Sequence, residues 1–173
     1  NGEIGTVEPI KEIGEIVQEK SIYFHVDAVA AAGQVSIDVK NEHIDLLSLS
    51  SNDLYGPRGV GALYTKTGTK IQPIIQGGGQ ERGLRSGTEN VPAIVGMSEA
   101  AKIVKEEMKS ESVRLIGLRD RLLRDVLDKI PHSFLNGHPT KRLPNNANLR
   151  FSYIEGESLI LSLDMEGVAT VSY

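Results

Sequence analysis

Asp27 ends a compact apolar run, Ile22 to Val26, that is bounded on its other side by Ser21. An aspartate at the exit of a buried parallel strand stands where open α/β sheets bind ligands, at the carboxyl ends of their strands. The same residue type also caps a helix, here one that would begin at Ala28. Ser50, Ser51 and Asn52 follow a second apolar run and supply short hydroxyl and amide donors. Such donors, with backbone N–H groups, suit a phosphate. Serine and threonine beside glycine also serve simple turns, so Thr88 in Arg85-Ser86-Gly87-Thr88 and the triplet Gly77-Gly78-Gly79 are weak signals alone. His25 and Asp27 alternate along one strand and share a face, as the first two ligands of a metal site would. His43, His132 and His138 lie in loop-like contexts and offer no third ligand, so His25 reads as structural and no metal is expected.

The elements that must position these residues follow from the hydrophobic pattern. Pro9 suits a helix's first turn, and Ile10, Ile13, Ile16 and Val17 continue at helical spacing as far as Glu19-Lys20. Ile22 to Val26 reads as a strand buried on both faces. The small residues from Ala28 to Gly33 suit a helix packed closely against a ligand or sheet. Leu46 to Ser50 and Val60 to Tyr64 read as strands around the turn Gly56-Pro57-Arg58-Gly59, with Ile71 to Gln76 a fourth candidate. From Pro92, residues Ile94, Met97, Ala101, Val104 and Met108 form one apolar stripe on a long helix. Leu115, Leu118, Leu122 and Val126 belong to a second helix, or to a continuation bent near Lys109 to Glu111, which Pro131 stops. A strand is expected at Phe134 to Gly137, another at Asn148 to Tyr153, a helix at Gly156 to Met165, and a last strand at Val168 to Val171. The order of elements is that of an α/β sheet with helices on both faces, followed by a smaller α+β unit.

The chain has 173 residues, 39% hydrophobic and 24% charged, with a net charge of −4. Those values suit an ordinary globular protein and lack the basic footprint of a nucleic-acid binder. The Lys and Arg residues between Met108 and Lys129 alternate with Asp and Glu, which describes a solvated helix face. There is no apolar run long enough for a membrane helix and no leader-like segment. With no cysteine, the segment can carry neither a disulfide nor a thiolate zinc site. It opens without Met at Asn1 and closes at Tyr173 inside an apolar stretch, and both ends read as cuts through a longer protein.

Three motifs in order, His25-Val26-Asp27-Ala28, Ser48 to Gly61 and Arg85-Ser86-Gly87-Thr88, closely resemble the cofactor-binding half of a cysteine desulfurase. The family pattern is Ser-x-Ser-Gly-His-Lys-x-Tyr-Gly-Pro-Lys/Arg-Gly, against Ser48-Leu49-Ser50-Ser51-Asn52-Asp53-Leu54-Tyr55-Gly56-Pro57-Arg58-Gly59 here. Gly77-Gly78-Gly79-Gln80-Glu81-Arg82-Gly83 is similar to a further family motif. Leu135-Asn136-Gly137, Leu143-Pro144-Asn145, Glu155-Gly156-Glu157-Ser158 and Leu163 to Ala169 resemble its small domain. The resemblance runs along essentially all 173 residues.

This resemblance implies a fragment of a fold-type-I pyridoxal-phosphate transferase. Residues 1–108 would be part of the large cofactor-binding domain, mainly a parallel sheet with helices on both faces. Residues 109–173 would be part of the small C-terminal domain. Asp27 would pair with the pyridine nitrogen and keep it protonated. Ser50 and Asn52 hold phosphate-contacting positions, and Thr88 matches a threonine that reaches the phosphate of the neighbouring subunit. The implied substrate is L-cysteine and the implied partners are an iron–sulfur scaffold protein and a second copy of the chain, in the cytoplasm, without membrane or nucleic acid. Four positions depart from the pattern. Asp53 replaces the lysine that holds the cofactor as a Schiff base, and a carboxylate cannot form an imine. Asn52 replaces a histidine, Ala30 a glutamine at the ring hydroxyl, and Gly2 a cofactor-facing asparagine. The expectation is a desulfurase-type protein with impaired or unconventional catalysis, the alternative a non-catalytic binding partner of the scaffold.

Overall fold

The computed structural model describes residues 1–172. The chain divides into two compact units, one of Pro9–Ser110 and one of Asn1–Glu8 with the residues from Glu111 on. Residues 1–8 thus pack with the later unit.

In the unit of Pro9–Ser110, helix α1 (Ile10–Glu19) starts after Pro9, and Lys20 ends it. Strand β1 is His25–Asp27 and strand β2 is Leu46–Ser50, paired in parallel with Asp27 opposite Ser48. Strand β3 (Gly61–Thr65) runs antiparallel to β2, so this three-stranded sheet carries one parallel and one antiparallel pair.

Ladder register assigns the two faces. Val26, Leu47, Leu49 and Tyr64 lie on one side and join the core around Ala28 and Ile44. His25, Asp27, Ser48 and Ser50 lie on the other, and His25 and Asp27 are exposed. β1 is therefore shorter than Ile22 to Val26 and is not buried on both faces. Ile22 and Tyr23 are more than half exposed, and the ladder begins only at His25 opposite Leu46. Ala28 to Gly33 forms consecutive turns in place of the expected helix. No strand forms at Ile71 to Gln76. Pro73 has no N–H for a ladder, and Ile74 is 94% exposed.

Of the two expectations beyond Met108, a second helix or a bent continuation, the structure has a continuation: α2 (Val91–Lys129) is one helix, ending two residues before Pro131. Within the first unit α2 approaches the Gly56-Pro57 turn closely. A Cβ on Gly96 would lie 2.5 Å from the Pro57 ring, and one on Gly56 would lie 3.2 Å from the Ala100 methyl. Two glycines thus let a helix and a turn meet at backbone distance, which fixes the turn beyond β2.

In the other unit, β4 (Ser133–Leu135) pairs antiparallel with β5 (Leu149–Phe151), and helix α3 is Gly156–Met165. Arg142, 5% exposed, donates to the carbonyls of Ile4, Asn136 and His138, while Asn146 and Asn148 bond to the carbonyls of Gly2 and Glu3. These bonds hold residues 1–8 to a loop more than 130 positions away. Burial, with Arg119 nearby, pushes the Arg142 guanidinium below its usual value. The expected strand at Val168 to Val171 does not form. The Val168 N–H instead closes the end of α3 on the Leu163 carbonyl, and both valines are exposed.

Candidate functional site

The site residues that come together are those on the open face and carboxyl edge of the sheet. Asp27 is the last residue of β1, and its Oδ1 accepts the Val29 N–H at 3.0 Å. It therefore caps the turn that carries Ala30, and its second carboxylate oxygen has no described partner. His25, two residues back on the same face, is hydrogen-bonded through Nε2 to Ser48 Oγ at 2.7 Å. That bond spends the histidine within the sheet. Among the described residues no group of three His, Cys, Asp or Glu could hold a metal.

Beyond Ser50 the chain makes a tight knot. The Ser51 carbonyl accepts the N–H groups of Leu54 at 3.1 Å and Gly56 at 2.8 Å, and the Ser51 N–H donates to the Val60 carbonyl. Asn52–Leu54 is a single 3-10 turn between buried Ser51 and buried Leu54. Tyr55 follows with φ of 61°, a left-handed conformation that costs energy in any residue with a Cβ. The buried ends leave Asn52 and Asp53 at the crown of the turn, both exposed. Ser51 Oγ is fully buried without a hydrogen-bond partner, because it points at Gly56, where a Cβ would lie 2.4 Å from it. It belongs to the packing of the turn.

Asn52 Oδ1 accepts the Arg58 Nε–H at 3.1 Å. Arginine has no acceptor, so this contact identifies the amide oxygen and turns the amide nitrogen away from the guanidinium. The motif at Gly56 to Gly59 contains Arg58, but spacing alone does not single it out. Its partnership with Asn52 emerges only from the turn. Asp53 carries no hydrogen bond or ion pair among the described residues. The cation of the same turn, Arg58, is bonded to Asn52.

Thr88 is not brought to Asp27, Ser50 or Asn52 by any described contact. It ends a loop, from Gly77, in which Glu81 and Arg82 have φ of 49° and 58° and Gly77, Gly79, Gly83 and Gly87 are also positive. Side chains fasten the loop, through Ser86 Oγ to the Gly79 N–H and Gln80 Oε1 to the Gly87 N–H. These left-handed residues are strained and are held in place by the loop's own side chains. Gly2 belongs to the other unit, where its carbonyl is bound by Asn146.

A family model described as aminotransferase class-V matches residues 1–172. The chain is 60% identical over 168 residues to cysteine desulfurase IscS 1 of Archaeoglobus fulgidus, covering 97% of this chain and 44% of that protein. It is 56% identical over 168 residues to cysteine desulfurase IscS of Methanosarcina thermophila, covering 97% and 41%. To cysteine desulfurase NifS of Azotobacter vinelandii it is 45% identical over 172 residues, covering 99% and 43%. The chain thus spans under half the length of these relatives. Among solved structures, a NifS-like protein from Rickettsia africae superposes with a TM-score of 0.96 at 29% identity, over all of this chain and 48% of that one. DndA from Streptomyces lividans superposes with a TM-score of 0.81 at 35% identity, over 99% and 49%.

Proposed function

The chain belongs to the aminotransferase class-V family, in the branch of the cysteine desulfurases, and from that premise we propose that the protein containing it is a desulfurase-type subunit of iron–sulfur assembly that does not hold its coenzyme covalently. The family depends on pyridoxal phosphate. The residues present fit the ring and phosphate of that coenzyme and do not fit its covalent link. Asp27 retains one unspent carboxylate oxygen at the carboxyl edge of β1, the place for a ring N–H. Ser50 Oγ and Asn52 Nδ2 have no described partner and are donors for a phosphate. Asp53 carries the reading: its exposed, unpartnered carboxylate stands in the lysine position.

When bound, the coenzyme supplies an electron-accepting ring. The chain's own residues contribute as follows. Asp27 would hold a proton on the ring nitrogen, while Ser50 and Asn52 would orient the phosphate. Asp53 can accept a proton through Oδ1 or Oδ2 but cannot make the covalent attachment. Overall, L-cysteine would pass its sulfur to a thiol, giving alanine and a persulfide. No cysteine lies in these 173 residues, so that thiol comes from outside them.

Asp53 also favours a second reading, a desulfurase-like subunit that binds the scaffold protein without turnover. Sulfide release from L-cysteine, measured on the full-length protein with coenzyme and a thiol reductant, separates the two. Release above that of coenzyme and reductant alone supports the first reading. No release, with binding to the scaffold retained, selects the second.

A further inference from the structure

Asn52 is an ambiguous phosphate ligand by itself. An amide presents two N–H donors on one side and an oxygen acceptor on the other, and the two ends exchange by a half-turn of the terminal bond. With the nitrogen outward it attracts a phosphate; with the oxygen outward it repels one. The side chain is exposed, so packing does not choose between them. The hydrogen bond from Arg58 Nε at 3.1 Å does. A half-turn of the amide would set Nδ2 against a guanidinium that can only donate, losing the bond and leaving donor facing donor.

We propose that Arg58 is a positioning residue for phosphate recognition: it locks the Asn52 amide with Nδ2 turned away from the guanidinium, as a donor for the phosphate of a pyridoxal-type coenzyme. The framework for this is rigid. Asn52 leaves buried Ser51, and Arg58 follows Pro57, whose ring packs against Gly96 of α2. The short loop between them is closed by the two bonds to the Ser51 carbonyl. Arg58 also brings a positive charge to a turn where Asp53 has placed a negative one, which favours an anion. This inference rests on the coenzyme reading above.

The test compares pyridoxamine 5′-phosphate with pyridoxamine, measured by titration calorimetry on the full-length protein. The amine forms avoid reaction with surface lysines, and the ratio of the two affinities isolates the phosphate. The wild type is expected to prefer the phosphorylated form by tenfold or more. Arg58→Gln should cut that preference about fivefold to tenfold and leave pyridoxamine binding unchanged. Arg58→Lys, which keeps the charge and a donor, should retain part of it. In an Asn52→His background, where no amide needs orienting, Arg58→Gln should cost less than twofold. An unchanged preference in Arg58→Gln would overturn the proposal and leave the coenzyme reading standing. An equal loss in both backgrounds would also overturn it, showing Arg58 to act only as a charge. A wild type that does not distinguish the two ligands would overturn the coenzyme reading itself, and this proposal with it.

Discussion

Of the four departures from the family pattern, Asp53 is the one that, by the resemblance, would remove the covalent link to the coenzyme. Asp53 sits at the crown of a turn whose other members are committed: Ser51 and Leu54 are buried, and Asn52 is bound by Arg58. Restoring the amine should therefore be structurally easy and functionally incomplete. Asp53→Lys is expected to raise coenzyme affinity only in part. Ala30 would still leave the ring hydroxyl without an amide partner, at roughly 1–3 kcal/mol for a buried group left unmatched. Equilibrium dialysis followed by absorbance of the bound coenzyme checks this. Full stoichiometric occupancy in the single variant would show that the Ala30 position matters little.

Two contacts in the Pro9–Ser110 unit carry predictions about its elements. Gly14 lies inside α1, where alanine ordinarily improves a helix by about 1 kcal/mol. Here an added Cβ would stand 2.1 Å from the Glu42 carbonyl oxygen, which is backbone and cannot swing aside. Gly14→Ala should therefore destabilise by about 1–3 kcal/mol, as overpacking does, and a raised melting temperature would refute this. Asp45 joins the approach to β1 to the end of β3, accepting the Phe24 N–H at 3.0 Å and pairing with Lys66 at 3.1 Å. Burial pushes its carboxyl upward, but the Phe24 N–H and the Lys66 ammonium together outweigh that and hold it below the usual carboxylate range. A lowered folded value means the stabilisation is present above the ordinary carboxylate value near 3.9 and is lost as pH falls through the lower one. Asp45→Asn should cost about 1–2 kcal/mol at neutral pH, a range that allows for the half-exposed lysine. The difference from wild type should shrink in denaturant titrations run below pH 4. A difference that grows instead would contradict the assignment.

These elements also show what could be read in advance. α1 and α3 were legible from their spacing and stops, and β2 from its apolar run before Ser50. β1 starts later than its composition suggests because Ile22 and Tyr23 have strand composition without a ladder partner, a property of the fold and not of the run. The same holds for Ile71 to Gln76 and Val168 to Val171. Beyond Met108 the apolar stripe fits either a second helix or a bent continuation, and α2 runs on as one helix. In the candidate site, the family resemblance points to Asp27, Ser50 and Asp53. The bonds from His25 to Ser48 and Arg58 to Asn52 needed the strand register and the turn, since neither follows from residue spacing.

For the protein as an assembly, the strained loop ending at Thr88 is the informative feature. Family resemblance makes Thr88 a phosphate ligand of a neighbouring subunit, which requires a two-fold interface where the same patch meets its copy. A symmetric dimer with Gln80 to Thr88 at the interface is expected whether or not catalysis survives, because subunit packing does not depend on Asp53. A solution structure of the full-length protein showing a monomer, or Thr88 far from the other subunit's Asp27, would contradict it. The most direct measurement concerns how the coenzyme is held. The full-length protein would be loaded with pyridoxal phosphate, reduced with borohydride and mapped by peptide mass spectrometry beside Asp53→Lys. Expected is no pyridoxyl adduct in the site of the wild type and one on residue 53 of the variant. A stoichiometric adduct on a lysine at that site in the wild type would contradict the account.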